Sequence, residues 1–145
     1  KLQHIPYRGV APGMTDVLGG QVPIIFASLP SSIANIQSGK LRALGVSTKQ
    51  RNPALPDVPA IGEQISGYAG ELWIAMYVPK DTPQAAVDAL YQATQKALAS
   101  DDIKKKFAEL GVETLNDNPA QLAQRLDEDL KLWADIVKSS GAQIN

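Results

Sequence analysis

The amino-acid sequence predicts an α/β fold. Strand-like and helix-like segments alternate up to Val46, and the run Val22-Pro23-Ile24-Ile25-Phe26-Ala27 is continuously apolar, as in a parallel strand covered on both faces. Beyond Pro79 the pattern changes to helix alone.

The elements follow in order. Residues 2–7 read as a short strand closed by a turn at Arg8-Gly9. Pro12 suits the first turn of a helix, Met14, Val17 and Leu18 give that helix an apolar face, and Gly19-Gly20 stops it. Residues 22–27 form the second strand. Pro30 marks the next helix start, Ile33 and Ile36 face inward, Gly39 ends the helix, and residues 41–46 supply a third strand. Such units are joined by right-handed crossovers. Pro53, Pro56 and Pro59 make residues 49–59 an ordered surface loop, before a short helix at 61–65 and a break at Gly67 and Gly70. Leu72-Trp73-Ile74-Ala75-Met76-Tyr77-Val78 is the most strand-like run in the chain.

Three helices are predicted after it. Thr82 caps the first, with Pro83 at its first position, and Val87, Leu90, Tyr91, Thr94 and Leu98 trace one stripe. Ser100 caps the second, where Ile103, Phe107 and Leu110 repeat the spacing and Gly111 terminates. Asn118-Pro119 opens the third with Gln121 completing a capping box, Leu122, Leu126, Leu130, Trp133 and Val137 bury one side, and Gly141 ends it. These stripes are core packing and need no cofactor. A linker would not be built from Trp73, Ile74, Met76, Tyr77 and Val78, so the change of character marks a boundary between two packed units, residues 1–70 and 71–145.

Composition narrows the function. A chain of 145 residues with 44% hydrophobic and 20% charged residues is able to build a core. Its formal net charge is -1, and the one basic cluster, Lys104-Lys105-Lys106, sits beside Asp101 and Asp102 as a solvated face, so nothing points to nucleic acid. Without cysteine there is neither a disulfide nor a thiolate metal site. No stretch reaches the ~18 to 20 apolar residues of a membrane span. Lys1-Leu2-Gln3-His4 carries no apolar signal core.

Catalytic chemistry finds few materials. The only histidine, His4, lies in a predicted strand, and no Gly-x-Ser-x-Gly elbow surrounds Ser28, Ser31, Ser32, Ser38 or Ser47. Consecutive Asp127-Glu128-Asp129 point in different directions around a helix, and Asn116-Asp117-Asn118 lacks the glycine and distal glutamate of a calcium loop. Neither G-x-G-x-x-G nor a P-loop occurs. The positive signal is where strands turn into helices, at Pro12 and near Pro30. Val10-Ala11 stand where a capping side chain would satisfy the first amides, and an uncapped start binds carboxylates. Water, a peptide carbonyl or Ser28 filling these ends is the alternative.

His4-Ile5-Pro6-Tyr7-Arg8-Gly9, Pro12 and Asp16-Val17-Leu18-Gly19-Gly20-Gln21-Val22 resemble the H-V-P-Y-K-G, P-A, D-L-L-G-G-Q-V signature of the Bug or TctC-like solute receptors of tripartite tricarboxylate transporters. The likeness continues through Phe26, Leu29-Pro30, Gly39-Lys40-Leu41-Arg42-Ala43-Leu44, Arg51, Leu55-Pro56-Asp57-Val58-Pro59, Glu63, Pro79 and Thr82-Pro83. The resemblance implies a periplasmic-binding-protein-like, two-lobed α/β fold of which this chain is the C-terminal half. Residues 1–70 would give βα units of lobe 2, and residues 71–145 a strand and three helices returning to lobe 1. It implies a periplasmic protein that captures a small carboxylate and delivers it to membrane permease subunits, with no cofactor, metal or catalytic residue. Tyr7, Gly9, Val10 and Ala11 would form one cleft wall and Ala27, Ser28 and Leu29 the other.

Three positions depart from the pattern: Ala27 and Pro23 stand where many relatives have aspartate, and Gly13 where alanine is usual. An alanine at 27 suits a more anionic or more apolar ligand. The family is about twice this length, so Lys1 is expected not to be the biological start, with the chain either a fragment or completing its sheets in a homodimer. The rival readings are a self-associating interaction module and a hydrolase using Ser28.

Overall fold

A computed structural model of the protein describes residues 3–141; Leu2, where the first strand was expected to begin, lies outside them. Five α-helices are present among these residues: α1 (Val10–Leu18), α2 (Leu29–Gln37), α3 (Gln84–Leu98), α4 (Asp101–Glu109) and α5 (Pro119–Ser140).

Helix α1 starts two residues ahead of Pro12, because Gly9 at φ 102 and ψ 174 turns the chain into it. Pro12 then falls in the first turn, where its missing N–H costs no helical bond. The helix ends in a Schellman motif, with Gln21 N–H donating to the Asp16 carbonyl at 2.8 Å and Gly20 N–H to Val17 at 3.1 Å. Helix α2 ends the same way, with Lys40 N–H on Asn35 at 2.9 Å and Gly39 N–H on Ile36 at 3.0 Å. Gly20, Gly39, Gly111 and Gly141 therefore stop helices by taking positive φ, whereas Gly19 keeps a helical φ of -82.

Three prolines shape the connection to the second half. Val46 N–H donates to the Pro59 carbonyl at 3.0 Å and Ile61 N–H to Val46 at 2.9 Å, forming an isolated parallel bridge between Val46 and Ala60. Arg51 ties the loop down through a bidentate pair on Glu63, Nε to Oε1 and Nη2 to Oε2, both at 2.8 Å. Glu63 Oε1 also accepts from Ala60 N–H at 2.9 Å. These bonds hold the carboxyl of Glu63 down at about 2, the guanidinium contributing most. The short helix expected at 61–65 is a single 3-10 turn, Ile61–Glu63.

The last three helices agree with the sequence reading to within a residue at their starts. Helix α3 begins one residue later than expected, with Pro83 rather than Thr82 at the cap position. Ser100 holds the cap position of α4, but its hydroxyl donates to the Ala97 carbonyl at 2.7 Å instead of accepting from the first turn. The α5 capping box is complete: Asn118 Oδ1 accepts from Gln121 N–H and Gln121 Oε1 from Asn118 N–H, each at 3.0 Å. Helices α3 and α4 pack on each other. Trp73 Nε1 donates to Asp129 Oδ2, fastening residues 71–73 to α5.

Two expectations about burial are corrected. Residues 22–27 and 72–78 make no ladder among the described residues, and neither run exchanges a backbone hydrogen bond with another segment there. Phe26 is 76% exposed and Ile24 is exposed too, so the run at 22–27 is not covered on both faces, and in the run at 72–78 Ile74 is 93% exposed. A strand is defined by its neighbours, and none of the described segments lies in pairing position. For the same reason Leu130, Trp133 and Val137 on α5 are exposed, whereas Leu122 and Leu126 are half-buried. Among the described residues, the apolar side chains that are buried, Met14, Ile33 and Ala60, all belong to the first half.

Candidate functional site

The seven residues singled out by the sequence fall into two groups, one at each turn that leads into α1 or α2. Tyr7, Gly9, Val10 and Ala11 surround the start of α1. Gly9 occupies a backbone region essentially closed to other residues. No side chain caps α1, and no acidic residue lies in its first turn. Since Pro12 has no N–H, the amides of Val10 and Ala11 carry the positive end of the helix dipole.

Tyr7 lies along the flank of α1. Its hydroxyl donates to Asp16 Oδ2 at 2.7 Å. Its ring crosses the helix at Gly13, where an added Cβ would stand 3.2 Å from Tyr7 Cδ2 and 3.3 Å from Ile25 Cδ1. The hydrogen bond to Asp16 pushes the phenol pKa upward, with desolvation and the carboxylate's charge adding to it. Gly13 therefore lets the Tyr7 segment and the run at 22–27 approach α1 closely.

Ala27, Ser28 and Leu29 form the second group, at the start of α2. Ser28 is the cap residue, yet its side chain accepts from no backbone amide. Its Oγ lies 3.0 Å from Ser31 Oγ, while its carbonyl accepts from Ser31 N–H at 3.1 Å, Ser31 Oγ at 2.7 Å and Ser32 Oγ at 3.1 Å. Pro30 has no N–H to offer, so of the first-turn amides only that of Leu29 stays available for a ligand. The side chain of Leu29 is committed elsewhere: it fills the space over Gly111, at the end of α4.

That contact brings in a residue the sequence reading missed. Asn52, 8% exposed, donates from Nδ2 to the Gly111 carbonyl at 2.9 Å and accepts on Oδ1 from Ala54 N–H at 2.9 Å. Both ends of its amide are satisfied, which suits a structural tie between the proline loop and α4. Asp16 was likewise quoted only as part of a sequence pattern, since its partner Tyr7 lies nine residues away with a helix start between them.

The two groups are linked through Ile25, two residues before Ala27, at Gly13. The first turn, residues 7–11, is exposed, and the second, Ala27 to Leu29, is half-buried. Two concavities away from these turns are one of about 300 Å3 between residues 71–73 and the α5 side chains Leu126, Asp129, Leu130 and Trp133, and one of about 210 Å3 between residues 52–54 and the end of α4. Helix α3 also begins without a side-chain cap. By contrast α4 carries Asp101 and Asp102 in its first turn and α5 has its capping box, so those starts are compensated internally. Among the described residues no helix is long and apolar enough to cross a membrane.

Comparison with known proteins gives the geometry a context. The family model described as tripartite tricarboxylate transporter family receptor matches residues 1–142. A UPF0065 protein in the tcbD-tcbE intergenic region of Pseudomonas sp. (strain P51) is 33% identical over 94% of this chain and 41% of its own length. Protein BugT of Bordetella pertussis is 30% identical over 99% of this chain and 44% of its own. A solved structure of periplasmic binding protein BugD matches with a TM-score of 0.88 at 34% identity, over 99% of this chain and 49% of that one. A structure described as a periplasmic transporter matches with a TM-score of 0.87 at 32% identity. The chain thus spans less than half the length of these curated relatives and about half of these solved structures.

Proposed function

Because this chain belongs to the tripartite tricarboxylate transporter receptor family and has the fold of one half of a periplasmic binding protein, we propose that it captures a small carboxylate outside the cytoplasm, in the periplasm, for the membrane permease subunits of such a transporter. In this reading residues 1–70 belong to one lobe, and residues 71–145 cross to the other. The observation that carries it is the pair of helix starts at Gly9 and Ser28, whose helices receive neither a side-chain cap nor a first-turn acid. The amides of Val10, Ala11 and Leu29 supply hydrogen-bond donors and dipole charge for an acid. Tyr7 and Ala27 shape the walls beside them. No step of bond making is needed, and the Ser28 hydroxyl faces Ser31, which is no base.

The test is a thermal-shift screen with acetate, succinate, citrate and benzoate, followed by calorimetry on the acid giving the largest shift. An acid at a hundred times its dissociation constant adds about 2.7 kcal/mol to the folded state. Replacing Ala11 by proline, which deletes one donor at a first-turn position that tolerates proline, should weaken that acid about tenfold, the value of one charge-assisted hydrogen bond. A flat response to all four acids refutes the carboxylate reading. Joined to a mass that grows with protein concentration, it favours a self-associating module.

A further inference from the structure

The hydrogen bond between Tyr7 and Asp16 decides how the first turn meets its ligand. The Tyr7 hydroxyl has one proton, and it goes to Asp16 Oδ2 at 2.7 Å. Asp16 lies six residues beyond Val10 on α1, about 9 Å along the axis at ~1.5 Å per residue. The phenol is therefore drawn away from the amides of Val10 and Ala11, while the ring stays pinned across Gly13. So held, Tyr7 sets its ring carbons against Gly13 and spends its one hydroxyl proton on Asp16.

We propose that Asp16 is a positioning residue for ligand binding: it anchors Tyr7 along α1, so that the ring forms an apolar wall beside the first-turn amides and leaves those amides as the donors to the acid. The inference rests on the carboxylate reading above and adds to it a residue that never touches the ligand. It also accounts for the glycine at position 13: a side chain there would press on the ring that Asp16 holds. The acids best served have a carboxylate next to an apolar segment, since the wall gives area and the amides give charge. Highly charged acids without apolar surface gain nothing from the ring.

Positioning and direct electrostatics predict opposite signs for Asp16→Asn. If Asp16 acted on the ligand only through its charge, removing that charge would tighten binding of any acid, more so at low salt. If it acts by holding Tyr7, exchanging the charge-assisted hydrogen bond for the weaker neutral one to an asparagine oxygen loosens the ring and weakens binding. The experiment is calorimetry with benzoate and with citrate on the unsubstituted chain, Asp16→Asn, Tyr7→Leu and the double variant, together with absorbance titration of the tyrosines. The expected result is a loss of about three- to tenfold for benzoate in each single variant, with the double variant no weaker than Tyr7→Leu, which marks the two residues as one unit. The loss for citrate is smaller. In the titration, the tyrosine component that ionises last in the unsubstituted chain moves down in Asp16→Asn and is missing in Tyr7→Leu. Unchanged or tightened benzoate binding in Asp16→Asn overturns the inference while leaving the carboxylate reading intact. Failure of the unsubstituted chain to bind any acid overturns both, and a downward tyrosine shift would then mark the bond as a purely structural one.

Discussion

Replacing Gly111 by alanine tests the joint between α4 and the start of α2. Gly111 sits at φ +66, and a Cβ built there would overlap Leu29 Cδ2, stand 3.0 Å from Leu29 Cγ and 3.2 Å from Asn52 Oδ1. The left-handed conformation alone costs an L-residue about 1–2 kcal/mol. Forcing Leu29 and Asn52 aside adds about 1–3 kcal/mol of overpacking strain. The stiffer unfolded chain returns about 0.4–1 kcal/mol, so the net loss falls between about 1 and 4.6 kcal/mol, centred near about 3 kcal/mol. Gly20→Ala is the control, because Gly20 has φ +74 with nothing within 4 Å of its added Cβ. It carries the conformational part alone, and about 1 kcal/mol is expected. Urea unfolding followed by the fluorescence of Trp73 and Trp133 measures both. Adding Leu29→Ala to Gly111→Ala should recover part of the loss, since it empties the space the new methyl enters. A Gly111→Ala cost no larger than that of Gly20→Ala, or no coupling to Leu29, would refute the packing account.

Three further outcomes are expected. Glu63→Gln removes a carboxylate held down at about 2 against an ordinary 4.5; a depressed carboxylate stabilises above its unfolded value, so the variant melts lower at pH 7, and the difference from the unsubstituted chain shrinks as pH falls from 4.5 towards 2. A gap in melting temperature that is constant over that window would contradict it. Asn118→Ala removes the acceptor for Gln121 N–H and should cost about 1 kcal/mol in urea unfolding, whereas Ser100→Ala, whose hydroxyl only reaches back to Ala97, should cost clearly less. Ala27→Asp sets a carboxylate beside the start of α2, and like charge about 6 Å away at an effective dielectric of about 40 costs about 1.4 kcal/mol, or tenfold in affinity for an acid; unchanged affinity and selectivity in calorimetry would remove Ala27 from the site.

Local signals in the sequence were read well wherever the chain satisfies itself. Glycines at 20, 39 and 111 stop helices because the αL position and the two bonds of a Schellman motif are made within six consecutive residues. The same holds for the Asn118 box, whose partners are three residues apart. Segments whose structure depends on distant partners were legible as to kind but not as to state. Residues 22–27 and 72–78 have strand composition, and without neighbours to pair with they form no ladder. The site divides along the same line. The uncapped start at Val10 could be anticipated from the lack of a capping residue, but at Leu29 a capping serine is present, and neither its idle side chain nor the Ser31 amide withdrawn by the Ser28 carbonyl could be. Nor could Asp16 or Asn52, whose roles rest on one long-range hydrogen bond each.

Those long-range bonds give the two turns different mechanical footing. The start of α1 is braced from within its own unit, by Tyr7 reaching back to Asp16 and by Ile25 against Gly13. The start of α2 is braced from outside it: Leu29 rests on Gly111, and Asn52 holds the Gly111 carbonyl from the proline loop that Arg51 and Glu63 clamp. If residues 71–145 belong to a second lobe, a shift of α4 relative to that loop acts on Leu29, because the Leu29 side chain lies against Gly111 and Asn52 bonds the Gly111 carbonyl. An acid spanning both turns would then sense the placement of α4 through the Leu29 amide alone. Mutations at Gly111 and Asn52 should alter affinity for the acid as well as stability, whereas mutations at Gly20, equally strained in backbone but touching nothing, should alter stability only.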